Sequence, residues 1–272
     1  MNIGVLFNLS KDTDVEKKIR EVHELGFASC QITCWDMSCY TEENAQKILA
    51  ALQTYGIRVS TFWAGWSGKG VWNFYDGPQT LGIVPEYARF QRILDLKAGS
   101  DFAKLLGVDQ VATHAGFLPE DPCAGNYWGV VCALREVAQH CKANGQYLLF
   151  ETGQETPVTL RRVMDDIGTD NLGVNLDPAN LILYGKANPI DALDTIGEFV
   201  RDVHGKDGLY PTDGKYLGKE TALGEGKVNF PALIAKLKSI GYDGPITIER
   251  EISGDQQIKD ILTAKALLES LI

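Results

Sequence analysis

Eight short β-rich runs alternate with amphipathic segments along the whole chain, and this alternation constrains the fold more than any other feature. The runs are 3–7 (IGVLF), 28–34 (ASCQITC), 58–63 (RVSTFW), 109–114 (DQVATH), 146–151 (QYLLFE), 172–177 (LGVNLD), 199–204 (FVRDVH) and 245–250 (PITIER). Between them, segments such as VEKKIREVHELGF, RILDLKAGSDFAKLLGV and FPALIAKLKSIGY repeat apolar residues at three- and four-residue intervals, as a helix with one buried face requires. Gly26, Gly56, Gly107, Gly145 and Gly241 stand just before the next strand, where a left-handed helix stop costs glycine little. Each crossover helix returns the chain to the same end of the sheet. Eight such units therefore predict parallel pairing and an α/β fold, a single (β/α)₈ TIM barrel over residues 1–272. An open doubly wound sheet would place a glycine-rich phosphate loop after its first strand, but the segment there reads FNLSKDTD.

No Pro/Ser-rich linker divides the chain, and a hydrophobic content of 44% with 23% charged residues suits one large core. Acidic residues outnumber basic ones by 36 to 26, for a net charge of -10 with no Lys/Arg cluster, which excludes a nucleic-acid partner. A small anionic substrate stays open. No run approaches the roughly 20 apolar residues of a membrane span. The start, MNIGVLFNLSKDTD, lacks the basic stretch and apolar core of a secretion signal, so a cytoplasmic protein is expected. The six cysteines, at 30, 34, 39, 123, 132 and 141, show no paired two-residue spacing and read as reduced, packed thiols. One connection is unusual: 64–84, AGWSGKGVWNFYDGPQTLGIV, interleaves glycines with aromatics and reads as a lid, a substrate wall, an interface between copies or a packed excursion.

Active sites of such barrels form at the C-terminal strand ends. The fifth to eighth runs end in or next to Glu151, Asp177, His204 and Glu249, each after mostly apolar residues. One carboxylate there could merely cap the following helix, as Asp177 before PANL could. Four such groups on adjacent strands would bury too much negative charge without a cation. Three carboxylates and one imidazole make a hard, oxygen-rich site for one divalent ion, Mn²⁺ first, with Mg²⁺, Co²⁺ or Zn²⁺ as alternatives. If a sugar's carbonyl and neighbouring hydroxyl chelate that ion, the adjacent C–H becomes acidic and its enediolate is stabilised. Glu151 and Glu249 are then the natural proton-transfer pair.

These residues, together with FETGQE, NLDPANL, VHGKD and LGEGKVNFPALIAKLKSIGYDGPITIERE, resemble the xylose isomerase-like barrel superfamily, specifically its sugar isomerase and 3-epimerase branch. The resemblance implies a metal held by Glu151, Asp177, His204 and Glu249, with the two glutamates moving the proton. It implies that His114 faces substrate, the alternative being a hydrogen-bonded wall residue. Asn180 stands where many relatives carry a histidine. The superfamily's DNA-repair branch assembles three zinc ions with many histidines, whereas two of the four here, His23 and His140, fall on predicted helices.

Lys206 either anchors a substrate group or is a solvated loop lysine. Glu155 either positions substrate above Glu151 or sits in the first turn of the fifth helix, where the dipole favours a negative charge. Trp63 is a wall for the apolar face of a sugar or barrel packing. Ketohexose 3-epimerases place an arginine several residues after the seventh-strand histidine, but GKDGLYPTDGKYLGK has none, which leaves the sugar and its phosphorylation open. The expected activity is a metal-dependent sugar or sugar-phosphate isomerase or 3-epimerase, with a small carbohydrate as partner and a homo-oligomer possible. The alternatives are a metal-dependent dehydratase of a keto-sugar or keto-cyclitol, and a non-catalytic sugar-binding barrel.

Overall fold

Eight parallel strands close into a barrel in the computed structural model, which describes residues 1–272. In chain order the strands are β1 (Asn2–Leu9), β2 (Ser29–Cys34), β3 (Arg58–Ala64), β4 (Gln110–Thr113), β5 (Tyr147–Glu151), β6 (Leu172–Leu176), β7 (Val200–Gly205), β8 (Asp207–Gly208), β9 (Glu220–Thr221) and β10 (Pro245–Ile248). Seven of the barrel strands are β1 to β7; β10 is the eighth and pairs with β1 and β7 to close the ring. The pair β8 and β9 forms a separate antiparallel ribbon at the mouth. The helices are α1 (Val15–Glu24), α2 (Glu42–Tyr55), α3 (Gly77–Thr80), α4 (Glu86–Leu105), α5 (Tyr127–Ala143), α6 (Pro157–Ile167), α7 (Pro178–Leu183), α8 (Pro189–Ile196), α9 (Phe230–Ser239) and α10 (Asp255–Glu269).

The closed ring excludes the open sheet, and every predicted run overlaps its strand, with β1, β3 and β7 extending past the runs that predicted them. The five glycines read as helix stops all take φ between 65° and 78°. The fourth and eighth runs stop short of their predicted ends, at Thr113 and Ile248. After β4 the chain turns away because Gly116, at φ 94°, passes against the backbone of Leu81 and Gly82. A Cβ at Gly82 would lie 2.0 Å from the Ala115 carbonyl oxygen, so no other residue fits there.

Side chains alternate across each strand with period two, and here the two faces differ in kind. The outward set, including Ile32, Phe62, Val111, Phe150, Val174, Val203 and Ile246, joins the helices in one core of 67 buried residues. The inward set is largely polar. Asp202 accepts hydrogen bonds from Ser60 Oγ (2.9 Å), Thr61 Oγ1 (2.9 Å) and Thr247 Oγ1 (3.0 Å) inside the barrel. One layer further toward the mouth, His204 meets Gln31 and Asn175.

The 64–84 connection is held rigidly from α4. Fully buried Arg92 donates to the carbonyls of Ser67 (3.1 Å), Gly82 (2.6 Å) and Lys69 (3.0 Å) and stacks over Trp66 at 3.9 Å. Asp95 accepts from the Ser67 N–H (2.8 Å) and hydroxyl (2.6 Å). The connection touches a second excursion where Phe74 N–H donates to the Lys215 carbonyl at 2.9 Å. That second excursion is tied down by Asp207, whose carboxylate accepts from the N–H groups of Gly224, Gly226 and Val228 at 3.0, 3.0 and 3.1 Å. All six cysteines are free; Cys30, Cys34, Cys39 and Cys141 are buried and Cys123 and Cys132 exposed. No helix is long and apolar enough to cross a membrane.

Candidate metal centre and active site

The inward parity of β5 and β7 puts Glu151 and His204 at the barrel mouth, and Asp177 and Glu249 follow the ends of β6 and β10. One ligand atom from each of the four lies within 4.8 Å of the others. Asp177 does two jobs at once. Its Oδ1 caps α7 by accepting from Asn180 N–H at 2.8 Å, so the capping role raised by PANL is real, while Oδ2 turns into the centre. There it lies 3.5 Å from His204 Nδ1. The imidazole is oriented from behind: Nε2 lies 2.9 Å from Gln31 Oε1 and 3.0 Å from Asn175 Nδ2, and Gln31 Nε2 donates to Asn175 Oδ1 at 3.0 Å. Donation from Nε2 to Gln31 leaves Nδ1 facing the carboxylates, where a metal ion displacing its proton would find the ligand nitrogen. His204 Nδ1 is 3.1 Å from Glu249 Oε2 and 3.5 Å from Glu151 Oε1.

Asp177 Oδ2 and His204 Nδ1 are buried without a hydrogen-bond partner. Unpartnered buried polar atoms are costly, and two of them aimed at one point among carboxylates fit a hard divalent cation. Burial raises the Glu151 carboxyl to about 8, with His204 opposing and Glu249 and Asp177 reinforcing the rise. Burial acts in the same direction on Glu249, but the Lys206 ammonium and His204 outweigh it and hold that carboxyl below the usual range. On His204 burial disfavours charge, yet the surrounding carboxylates hold its pKa well above the ordinary value.

The remaining candidates fall in distinct places. Trp63 is buried and donates its indole N–H to Glu151 Oε2. Asn180 Nδ2 donates to Glu151 Oε1 at 3.2 Å, so both carboxylate oxygens are held. His114, just past β4, has Nε2 3.5 Å from Glu151 Oε1; burial, with Lys206 adding, lowers its pKa to about 4. Lys206 is buried, with Nζ 3.0 Å from Glu249 Oε2, 2.7 Å from Glu251 Oε1, 3.5 Å from Asp177 Oδ2 and 3.5 Å from Asn180 Oδ1. Glu155 is buried ahead of α6 rather than in its first turn, because Thr156 is the cap and Pro157 begins the helix. It does not line the cavity.

A cavity of about 420 Å³ opens over the cluster, with Trp63, His114, Glu151, Asn180 and Glu249 in its wall. Its outer part is made by Trp35 and Trp72, which sequence reasoning did not single out, and its rim by Glu251. Gln31 and Asn175 were also passed over. Their signal was there: each is the one amide side chain in its strand, in SCQITC and LGVNL.

A closed parallel barrel thus carries a carboxylate and imidazole cluster that could hold a metal ion at its C-terminal rim, with a cavity over it. The chain belongs to the Xylose isomerase-like TIM barrel family, which it matches over residues 19–271. It is similar to a xylose isomerase domain protein from Planctomyces limnophilus, with a TM-score of 0.91 and 35% identity over 100% of this chain and 98% of that one. It shares its fold with D-psicose 3-epimerase from Clostridium cellulolyticum H10, solved with D-tagatose (TM-score 0.74, 17% identity, 100% and 99% of the two chains). The fold is also that of the probable 3-DHS dehydratase AsbF from Bacillus anthracis (TM-score 0.72, 15% identity, 99% of each chain). The uncharacterized protein MJ1311 of Methanocaldococcus jannaschii is 28% identical over 180 residues, 61% of this chain. That match spans 57% of MJ1311, little more than half its length.

Proposed function

We propose that the protein is a divalent-metal-dependent sugar isomerase or 3-epimerase that moves a proton between Glu151, Glu249 and a carbon next to a carbonyl. The observation that carries this reading is the pair of glutamates, three strands apart on the rim of one cavity, flanking the unpartnered Asp177 Oδ2 and His204 Nδ1. A divalent cation on these four residues would polarise a sugar carbonyl and make the neighbouring C–H acidic. Removal of that proton by one glutamate and delivery by the other from the opposite face inverts the carbon; delivery to the adjacent carbon isomerises the sugar. Trp63 and Asn180 fix the Glu151 carboxylate, and Lys206 fixes that of Glu249.

The test is deuterium exchange followed by proton NMR, with Mn²⁺ or Mg²⁺ supplied and a panel of free ketoses and ketose phosphates in D₂O. Wild-type protein is expected to exchange a C–H beside the carbonyl, and Glu151→Gln and Glu249→Gln each to slow it by at least about 100-fold. No exchange with any ketose would overturn the proton-transfer role. An unsaturated product in place of an epimer would assign the same abstraction to loss of water.

A further inference from the structure

Three tryptophans, Trp63, Trp35 and Trp72, line the cavity and a fourth, Trp66, packs against the last two, so that the four form two tiers. The inner tier is buried: Trp63 on Glu151, and Trp66 clamped by Arg92. The outer tier is Trp35 and Trp72, 39% and 41% exposed although each is a large apolar ring. Trp35 lies 4.9 Å from Trp63 and Trp72 lies 5.2 Å from His114, so the outer rings begin one ring's width beyond the groups that contact the carboxylates. Trp35 and Trp72 meet at 6.1 Å and 88°, which makes a right-angled aromatic corner open toward the mouth. The corner is rigid, because Arg92 and Asp95 hold the segment that carries Trp72 and Trp35 packs edge-on against Trp66 at 5.1 Å.

The charges of the cavity wall narrow what can sit there. No lysine or arginine lines it, and its ionisable wall residues besides His114 are Glu151, Glu249 and Glu251. The nearest ammonium, Lys206, donates to Glu249, Glu251 and Asn180. A phosphate or carboxylate on the outer part of a substrate would meet acidic groups and no free cation, whereas the C–H face of an uncharged ring would meet two indoles.

We infer that Trp35 and Trp72 form a second subsite, and that the substrate is a glycoside whose carbonyl-bearing sugar unit sits at the carboxylates while a second uncharged ring fills the aromatic corner. This inference rests on the sugar chemistry proposed above and specifies its substrate class. The continuous cavity of about 420 Å³ lies in the range of roughly 300–1,000 Å³ that encloses ligands larger than a few atoms.

The test measures binding of methyl β-glucoside, phenyl β-glucoside, D-fructose and D-fructose 6-phosphate to the Mn²⁺-supplied protein by tryptophan fluorescence. Phenyl β-glucoside is expected to bind roughly fivefold to tenfold tighter than methyl β-glucoside, the size of one aromatic contact. Trp35→Leu and Trp72→Leu should each shrink that gain, and Trp72→Phe, which keeps a ring, should restore most of it. Both outer residues are part-exposed, and thermal melts check that the variants fold. Equal affinities for the two glucosides, a gain that survives both leucine variants, or tighter binding of the phosphate than of D-fructose would each overturn the inference. Fluorescence reports occupancy without turnover. Absent deuterium exchange with a preserved phenyl preference therefore sinks the reaction and not the subsite.

Discussion

Glu155 carries a buried carboxylate whose Oε2 has no partner, and burial pushes its pKa up to about 8 against the opposing pull of backbone N–H groups and Lys186. In the unfolded chain the same group ionises near the ordinary value of 4.5. Below that value both states are protonated and its contribution is fully present. Between about 4.5 and 8 only the unfolded state ionises, so stability falls with rising pH by roughly 1.4 kcal/mol per unit from this residue. Glu155→Gln removes the ionisation, so its melting temperature should decline less than that of the wild type between about pH 5 and pH 8. Parallel declines would mean that Glu155 is ionised in the folded protein. Nothing local distinguished this residue from a helix-start carboxylate; only the packing around it does. The four residues of the cluster were legible because each ends an apolar strand. Gln31 and Asn175 became neighbours of His204 only when the barrel closed, across 173 and 29 residues of chain.

At the scale of elements, strands and helices follow directly from periodicity, whereas the long connections do not. The β8–β9 ribbon has two residues per strand, too few to show an alternation, and it exists because Asp207 gathers N–H groups from the following turn. The 64–84 segment admitted a lid, a wall or an interface because its anchor, Arg92, looks in sequence like an ordinary helix residue. Arg92 satisfies three carbonyls of that segment, whose Trp72 stands in the cavity wall. Arg92→Met keeps bulk and removes the donors, leaving buried carbonyls unpaired at about 1–3 kcal/mol for each group that water cannot reach. The variant should melt lower and be cut by protease within 65–84 faster than wild type. Unchanged cleavage would show that Asp95 and the Gly82–Ala115 contact suffice to hold the wall.

For the molecule as a whole, the barrel mouth concentrates groups that could hold a metal ion. Three carboxylates converge there in a chain of net charge -10, and the buried atoms Asp177 Oδ2 and His204 Nδ1 lie 3.5 Å apart without a hydrogen-bond partner. A cation that binds only the folded state stabilises it by RT ln(1 + [L]/Kd), about 4 kcal/mol at a thousandfold excess over Kd. At roughly 2 °C or slightly more per kcal/mol for a chain of this size, Mn²⁺ should raise the melting temperature by about 8 °C and EDTA should reverse it. Asp177→Asn sharpens the test, because asparagine caps a helix as well as aspartate and so preserves the α7 start held by Oδ1. The variant without metal should melt close to or above the metal-free wild type, since it loses one of three crowded negative charges. Its gain with Mn²⁺ should be much smaller, because the lost charge is the one aimed at the ion. Equal gains in the two proteins would place the bound ion elsewhere in the molecule, and no gain in either would remove the cation from the account of this barrel.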